Sequence, residues 1–488
     1  MDMRPEIIKT AKLTPGQSVI CIVDKNEIPQ FLNLEETEKE YALKQLQSGE
    51  NSVFINSYNK CTYIVKLKED GLHYKTREEL RKAACGLKKL IRSNNHSEII
   101  ITADKVYKGA IADFTEGFLL GIYSFDKYRT RKDKEEERNK YPSKLFLSGD
   151  ITQTEIKWLT DLTDAVYFTR DMINEPVNVL NATALAEEIH KLGLKGGFNV
   201  DILKKKQIEA LKMGGLLAVN RGSVDPPVFS ILEWHPENSL NKNPVVLVGK
   251  GIVYDTGGLN IKPDNYMAQM KGDMAGAATV AGVFYAIATN NIPLHVIGLI
   301  PATDNRPGGN AYTQGDIISM HNGMTVEVGN TDAEGRLILA DAISYASRYK
   351  PELIIDIATL TGSAAMAFGN KAIAAMSNAG REYISLLEES GNEVYERIAE
   401  MPFWDEYGEM IKSDIADVKN VGGREAGAIT AGKFLERFTD YPFIHLDIAG
   451  TGLLKDDDHY RLKEGPGSGL RLLATFLRKY AEKNNKSK

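Results

Sequence analysis

The sequence has almost no cysteine: Cys21, Cys61 and Cys85 are the three in 488 residues. Three thiols cannot all pair and none sits in a CxxC. That excludes a disulfide framework and a cysteine-based zinc module, and it fits reduced thiols in a cytoplasmic protein. Long apolar runs are missing as well. No stretch approaches the roughly 20 residues that cross a bilayer, and the opening MDMRPEIIKT has no signal-peptide core, so no membrane association is expected. There is no basic excess. Lysine and arginine number 60 against 66 aspartates and glutamates, a net charge of −6, which disfavours DNA binding and nucleic-acid platforms in general. Histidine is sparse, eight in all and scattered, with no HExxH. A GxSxG elbow and a Walker A loop are also absent, so the usual serine-hydrolase and P-loop chemistries fall away.

What is present reads as an α/β protein of two domains. Hydrophobic content of 43% and charged content of 26% are ordinary, and 488 residues exceed one compact core. Residues 1–150 form the smaller N-terminal α/β domain, with β-rich runs at Ser18–Val23, Ser52–Ile55, Thr62–Leu67, Glu98–Thr102 and Lys144–Ser148 and a helical pattern over Thr76–Ile91. The charged stretch 127–144 reads as a solvated loop or frayed helix. A linking helix is expected over 151–175, broken at Asn174–Pro176. Residues 176–488 form the larger domain. Continuous apolar runs at Val245–Val248, Leu294–Ile300, Leu353–Ile357 and Phe443–Ile448 predict buried strands of a central mixed β-sheet covered by helices. Ligands in such sheets bind beyond the carboxyl ends of the strands.

Three segments there carry chemistry. VGKGIVYDTGGLNIKP (248–263) sets Lys250, Asp255 and Lys262 in a glycine-rich loop. MKGDMAGAA (270–278) puts Asp273 near a helix start, followed by small residues that suit close packing. NTDAEGRLILAD (330–341) clusters Asp332, Glu334 and Arg336. Taken singly, each acid reads as a turn residue, a helix cap or a solvated acidic turn. Taken together, four carboxylates converging on strand ends repel one another unless cations neutralise them, and their number suits two ions bridged by shared ligands. His445, inside the apolar run FIHLDIAG, reads as a core or supporting histidine.

These segments resemble the signatures of the cytosol (leucyl) aminopeptidase family, NTDAEGRL being the most specific. IIDIATLTGS (354–363), IKSDIADVKNVGGREAGAITAGKFL (411–435) and HLDIAGTG (445–452) agree in order and spacing, and the resemblance runs from about Asp171 to Leu473. It implies a metal-dependent aminopeptidase that removes N-terminal residues, leucine and other apolar ones preferred, by a water or hydroxide bridging two metals. One divalent ion would be held by Asp255, Asp332 and Glu334, the other by Lys250, Asp255, Asp273 and Glu334. Zinc or manganese is implied, with magnesium and cobalt as further candidates. Lys262 and Arg336 match the family's catalytic pair, the first an oxyanion stabiliser and the second the anchor of a bicarbonate that acts as general base. Thr359, Leu360 and Gly362 would lie beside the substrate backbone, and Met270, Thr451 and Leu454 would line the side-chain pocket. A homohexamer is implied, a dimer of trimers with the catalytic domains inside. Tyr254 and Asn260 stand where the family more commonly has phenylalanine and serine. Two competing readings remain: a two-metal phosphoesterase, against which stands the lack of a histidine ligand cluster, and an architectural DNA-binding role, against which stands the acidic charge.

Overall fold

The computed structural model describes residues 4–11, 16–24, 27–68, 73–130 and 141–486. Two compact units emerge: Met1–Asp164 with Asp457–Leu462, and Ala165–Asp456 with Lys463–Lys488. The expected linking helix is present as Gln153–Asn174, yet the division falls inside it rather than at 150. The piece Asp457–Leu462 belongs to the first unit because Tyr460 and Arg461 bond the buried Glu78 at 2.6 Å. No local pattern in the sequence signals such a return.

The first unit is built on a six-stranded sheet in the order Glu6–Thr10, Lys144–Ser148, Glu98–Asp104, Val19–Val23, Cys61–Lys66, Ser52–Asn56. All neighbours are parallel except the last pair. Helices His73–Ser93 and Ala110–Ile122 pack so closely that a Cβ on Gly117 would sit 2.2 Å from the Arg81 carbonyl. Of the charged stretch 127–144, residues 131–140 lie outside the described residues.

The second unit is organised by a nine-stranded mixed sheet. Its order is Ile398–Glu400, Ile373–Ser377, Phe443–Asp447, Leu353–Ala358, Val245–Gly249, Val296–Asn305, Val228–Trp234, Asn199–Lys204, with Gly251–Asp255 also pairing Val296–Asn305. The four central strands are buried at every position, as their unbroken apolarity requires, and they run parallel to one another. Antiparallel strands flank them on both sides. The helices Ala275–Thr289 and Glu334–Ala346 lie against this sheet and are buried over nearly their whole length. A small separate sheet, Ile317–Ser319, Thr325–Glu327 and Val418–Lys419, brings the segment after Lys419 to the turn before Glu334.

Candidate metal centre

The central strands end on one side of the sheet, and the charged residues sit there. Gly249 ends the strand Val245–Gly249, and Lys250 follows it with 3% exposure. Asp255 ends the next strand. Glu334 opens the helix Glu334–Ala346 and Arg336 lies within its first turn, both buried. The chain is drawn tight by small residues. Gly276 lets the helix Ala275–Thr289 descend onto the strand ends, where a Cβ would meet the Ile357 carbonyl at 2.1 Å. Ala277 N–H then donates to Lys250 O at 2.9 Å. Gly335 makes room for the Lys250 side chain, whose Cε would lie 2.4 Å from a Cβ at that position.

The ion pairs form two linked sets. The Lys250 ammonium lies 2.8 Å from Asp273 Oδ2 and 2.9 Å from Glu334 Oε1, and donates to Thr359 O at 3.0 Å. The Lys262 ammonium lies 2.8 Å from Asp255 Oδ2 and 2.5 Å from Asp332 Oδ1. Thr359 Oγ1 donates to Asp273 Oδ1 at 2.7 Å. Asp255 Oδ1 accepts from Gly257 N–H and from Asn305 Nδ2, at 2.8 and 2.9 Å.

Four carboxylates thus face two lysines, and the imbalance marks their protonation. Burial pushes Asp273 up to about 8 against the pull of Lys250, with Glu334 and Asp255 adding to the rise. Burial, then Glu334 and Asp255, push Asp332 up to about 7. Glu334 is raised by burial and by Asp255. Burial alone would lower both lysines, but the surrounding carboxylates outweigh it and hold them above their usual value. Arg336 is drawn down to about 10 by burial, so it stays cationic at neutral pH. Its Nη1 donates to Asn420 O at 2.7 Å, and its buried Nε has no hydrogen-bond partner.

The donor set fits divalent cations. Oxygens of Asp255, Asp273 and Glu334 lie within 4.8 Å of one another. Glu334 Oε2 is buried with no hydrogen-bond partner, a costly state for a carboxylate that a cation would relieve.

Thr359 is buried beside this cluster, Leu360 is half-buried, and Gly362 is exposed at the start of the helix Gly362–Phe368. Met270 and Thr451 are half-buried and Leu454 is buried. Their segments meet where Gly272 abuts the Leu453 side chain. Leu454 is tied by backbone bonds to Glu464, and Thr451 Oγ1 accepts from Ser468 Oγ at 2.8 Å. His445 is fully buried with Nδ1 2.7 Å from Asp356 Oδ2, a core histidine as its apolar setting predicts.

Several residues that complete the site escaped the sequence reading. Asn420 Oδ1 accepts from Gly329 N–H and Asn330 N–H at 2.7 and 3.2 Å, which fixes the turn before Asp332. Asn305 Nδ2 ties Asp255 to the Thr331 carbonyl, and Tyr312 OH donates to that same carbonyl at 2.6 Å. Asp447 accepts from Leu360 N–H at 3.1 Å and Thr361 Oγ1 at 2.7 Å, holding the loop after Leu353–Ala358. Only the position of Asn305 and Asp447 at the ends of apolar runs could have singled them out.

A family model described as "Cytosol aminopeptidase family, catalytic domain" matches residues 167–474. A "Probable cytosol aminopeptidase" of Chlorobium phaeobacteroides (strain DSM 266 / SMG 266 / 2430) is 42% identical over 475 residues, 90% of this chain and 92% of the relative. Another of the same description, from Chloroherpeton thalassium (strain ATCC 35110 / GB-78), is 45% identical over 387 residues, 75% of this chain and 74% of its own length. Among solved structures, the bottromycin maturation enzyme BotP in complex with Mn superposes with a TM-score of 0.83 at 26% identity, covering 95% of this chain and 99% of that one.

Proposed function

The chain belongs to the cytosol aminopeptidase family and is a metal-dependent aminopeptidase, and from that premise we propose how its residues divide the work. Asp255, Asp332 and Glu334 hold one divalent ion, and Lys250, Asp255, Asp273 and Glu334 hold the other. The observation that carries this is the surplus of buried carboxylate over lysine, with Glu334 Oε2 left without a partner. Lysine can ligate only as the neutral amine, so Lys250 must give up a proton, which a neighbouring dication favours. When bound, the two ions would activate water, polarise the scissile carbonyl and take the substrate's free α-amine. Manganese is favoured by the ion in BotP, while zinc, cobalt and magnesium suit the same oxygens.

Lys262 is the more accessible of the two lysines, with a side chain 16% exposed against 3% for Lys250. It can swing from Asp255 and Asp332 toward the oxygen that becomes negative when the carbonyl is attacked. Arg336 is anchored by one nitrogen on Asn420 and keeps Nε unengaged, which suits a planar bicarbonate poised as general base. Thr359, Leu360 and Gly362 lie along the substrate backbone. Met270 and Leu454 give the side-chain pocket, which Thr451 also lines, an apolar wall, so leucine and methionine N-termini are the preferred substrates. The working assembly we propose is a homohexamer, on the family resemblance alone; its place in the cytoplasm accords with the names of the relatives and with the three buried free cysteines.

Peptide anilides test this reading. Leucine-p-nitroanilide should turn over faster than the aspartate analogue, and N-acetylation should abolish cleavage. Cleavage of blocked peptides at internal bonds would overturn the exopeptidase assignment, and full activity in a metal-free preparation would overturn the ligand set.

A further inference from the structure

A second group of metal-ligating side chains sits at the other end of the strand that reaches the carboxylate cluster. Val228–Trp234 runs antiparallel to Val296–Asn305 with Trp234 opposite Val296. One step further along that register sets His235 opposite His295. Side chains alternate along a strand, so Glu233 shares the face of His235. Cross-strand neighbours stand about 4.5–5.5 Å apart at Cβ, close enough to share one ion. Here a ligand atom from each of Glu233, His235 and His295 lies within 4.8 Å of the others. The two imidazoles stack at 3.9 Å between centroids and 12° between planes, and His295 Nε2 is 3.0 Å from Glu233 Oε1.

The His295 backbone is held in place. His295 N–H donates to Asn241 Oδ1 at 2.7 Å, and Asn241 Nδ2 returns a bond to His295 O at 2.9 Å. The His295 side chain is 16% exposed, Glu233 is 42% exposed and His235 is open to solvent. The strand Val296–Asn305 spans about 33 Å at ~3.3 Å per residue, so this cluster is far from Asp255.

We propose that Glu233, His235 and His295 form a second, separate site for a transition-metal dication of the zinc, nickel or copper class. Two imidazoles and one carboxylate select such ions over magnesium or manganese, whereas the oxygen-rich catalytic cluster has no imidazole among its members. An ion bound there would cross-link two neighbouring strands of the catalytic unit's sheet.

Copper(II) titrated into the metal-free, full-length chain provides the test, read by pulsed electron paramagnetic resonance. Imidazole ligation leaves a remote-nitrogen modulation that carboxylates and amines do not. One copper population with two-histidine modulation is expected. His235→Ala and His295→Ala should each weaken that population by more than about tenfold, and Glu233→Gln should weaken it while keeping the imidazole signature. Peptidase activity with manganese should be unchanged in His235→Ala, an exposed position whose loss spares the fold. Absence of imidazole-ligated copper at one equivalent, or its persistence in His235→Ala and His295→Ala, would refute the site.

Discussion

Both units of this protein bury carboxylates beside cations, and they do so to different ends. In the first unit, Asp113 and Glu116 meet Arg77 and Arg81 on two packed helices. Asp113 accepts from Arg77 Nε and Nη2 at 2.8 and 3.0 Å, from Arg81 Nη2 at 2.5 Å and from Tyr107 OH at 2.9 Å, while Glu116 takes Arg81 Nε at 2.5 Å. Two carboxylates match two guanidinium forks. In the second unit, four carboxylates share two lysines, Asp273 and Asp332 are driven up to about 8 and 7 by burial and by their neighbours, and one glutamate oxygen has no partner. Charge balance, with both Asp113 oxygens satisfied, marks a structural network. Charge surplus marks a place kept ready for something cationic.

The comparison breaks first at the shared ligands. Glu334→Ala or Asp255→Ala removes a carboxylate proposed to bridge both ions. Each should lower kcat by more than the about 10²–10³ expected for loss of one transition-state donor, and elemental analysis should find metal missing. Two retained ions in Glu334→Ala would show that the surplus charge is not what holds them.

The two lysines sharpen it. Lys262→Ala should keep both ions and similar KM while losing about 10²–10³ in kcat. Lys250→Ala should instead lose or loosen one ion, and high added metal should restore part of the rate. Gly335→Ala should mimic Lys250→Ala more weakly, because a new Cβ crowds the Lys250 Cε and ammonium. Metal content measured beside steady-state kinetics separates these outcomes. Metal loss in Lys262→Ala with full metal in Lys250→Ala would reverse the assignment.

The balanced network should respond in stability and not in chemistry. Arg81→Met takes the guanidinium from the buried Glu116 and leaves Asp113 Oδ1 with Arg77 Nη2 alone of its two guanidinium donors. Removing one partner of a buried pair costs about 3–5 kcal/mol. Denaturant unfolding should show that loss, with kcat/KM per folded molecule unchanged at low temperature. A drop in kcat/KM with native stability would deny the purely structural role.

The second unit's centre was legible in sequence because four strands buried on both faces read as unbroken apolar runs, and because polar residues follow each run. The carboxylates and lysines stood out as chemistry-bearing types in glycine-rich loops. What stayed hidden depends on tertiary packing. Asn420 reaches the turn before Asp332 through a two-residue strand, Val418–Lys419, too short to carry a pattern. Gly335 looks like an ordinary helix residue until Lys250 passes beside it. Ile373–Ser377 and Ile398–Glu400 are short strands that alternation cannot resolve. His235 and His295 lie far apart in the chain, and the antiparallel register alone sets them opposite.

The smallest expected effect concerns Asn260. Its side chain fastens the loop carrying Lys262 to the turn carrying Asp332. Asn260 Oδ1 accepts from Thr331 N–H at 2.9 Å and from Thr331 Oγ1 at 3.0 Å, and Asn260 N–H donates to Thr331 Oγ1 at 2.8 Å. Thr331 is fully buried, so an unanswered N–H there would cost about 1–3 kcal/mol. Asn260→Ala should therefore lower stability by roughly that amount and loosen the spacing between Lys262 and Asp332, with kcat falling more than KM changes. A serine hydroxyl can also accept from Thr331, from a shorter reach, so Asn260→Ser should keep most of the rate. Unfolding midpoints and kcat for the two variants decide the matter. If serine is as damaging as alanine, the clamp depends on the length of the asparagine side chain and not on its acceptor oxygen.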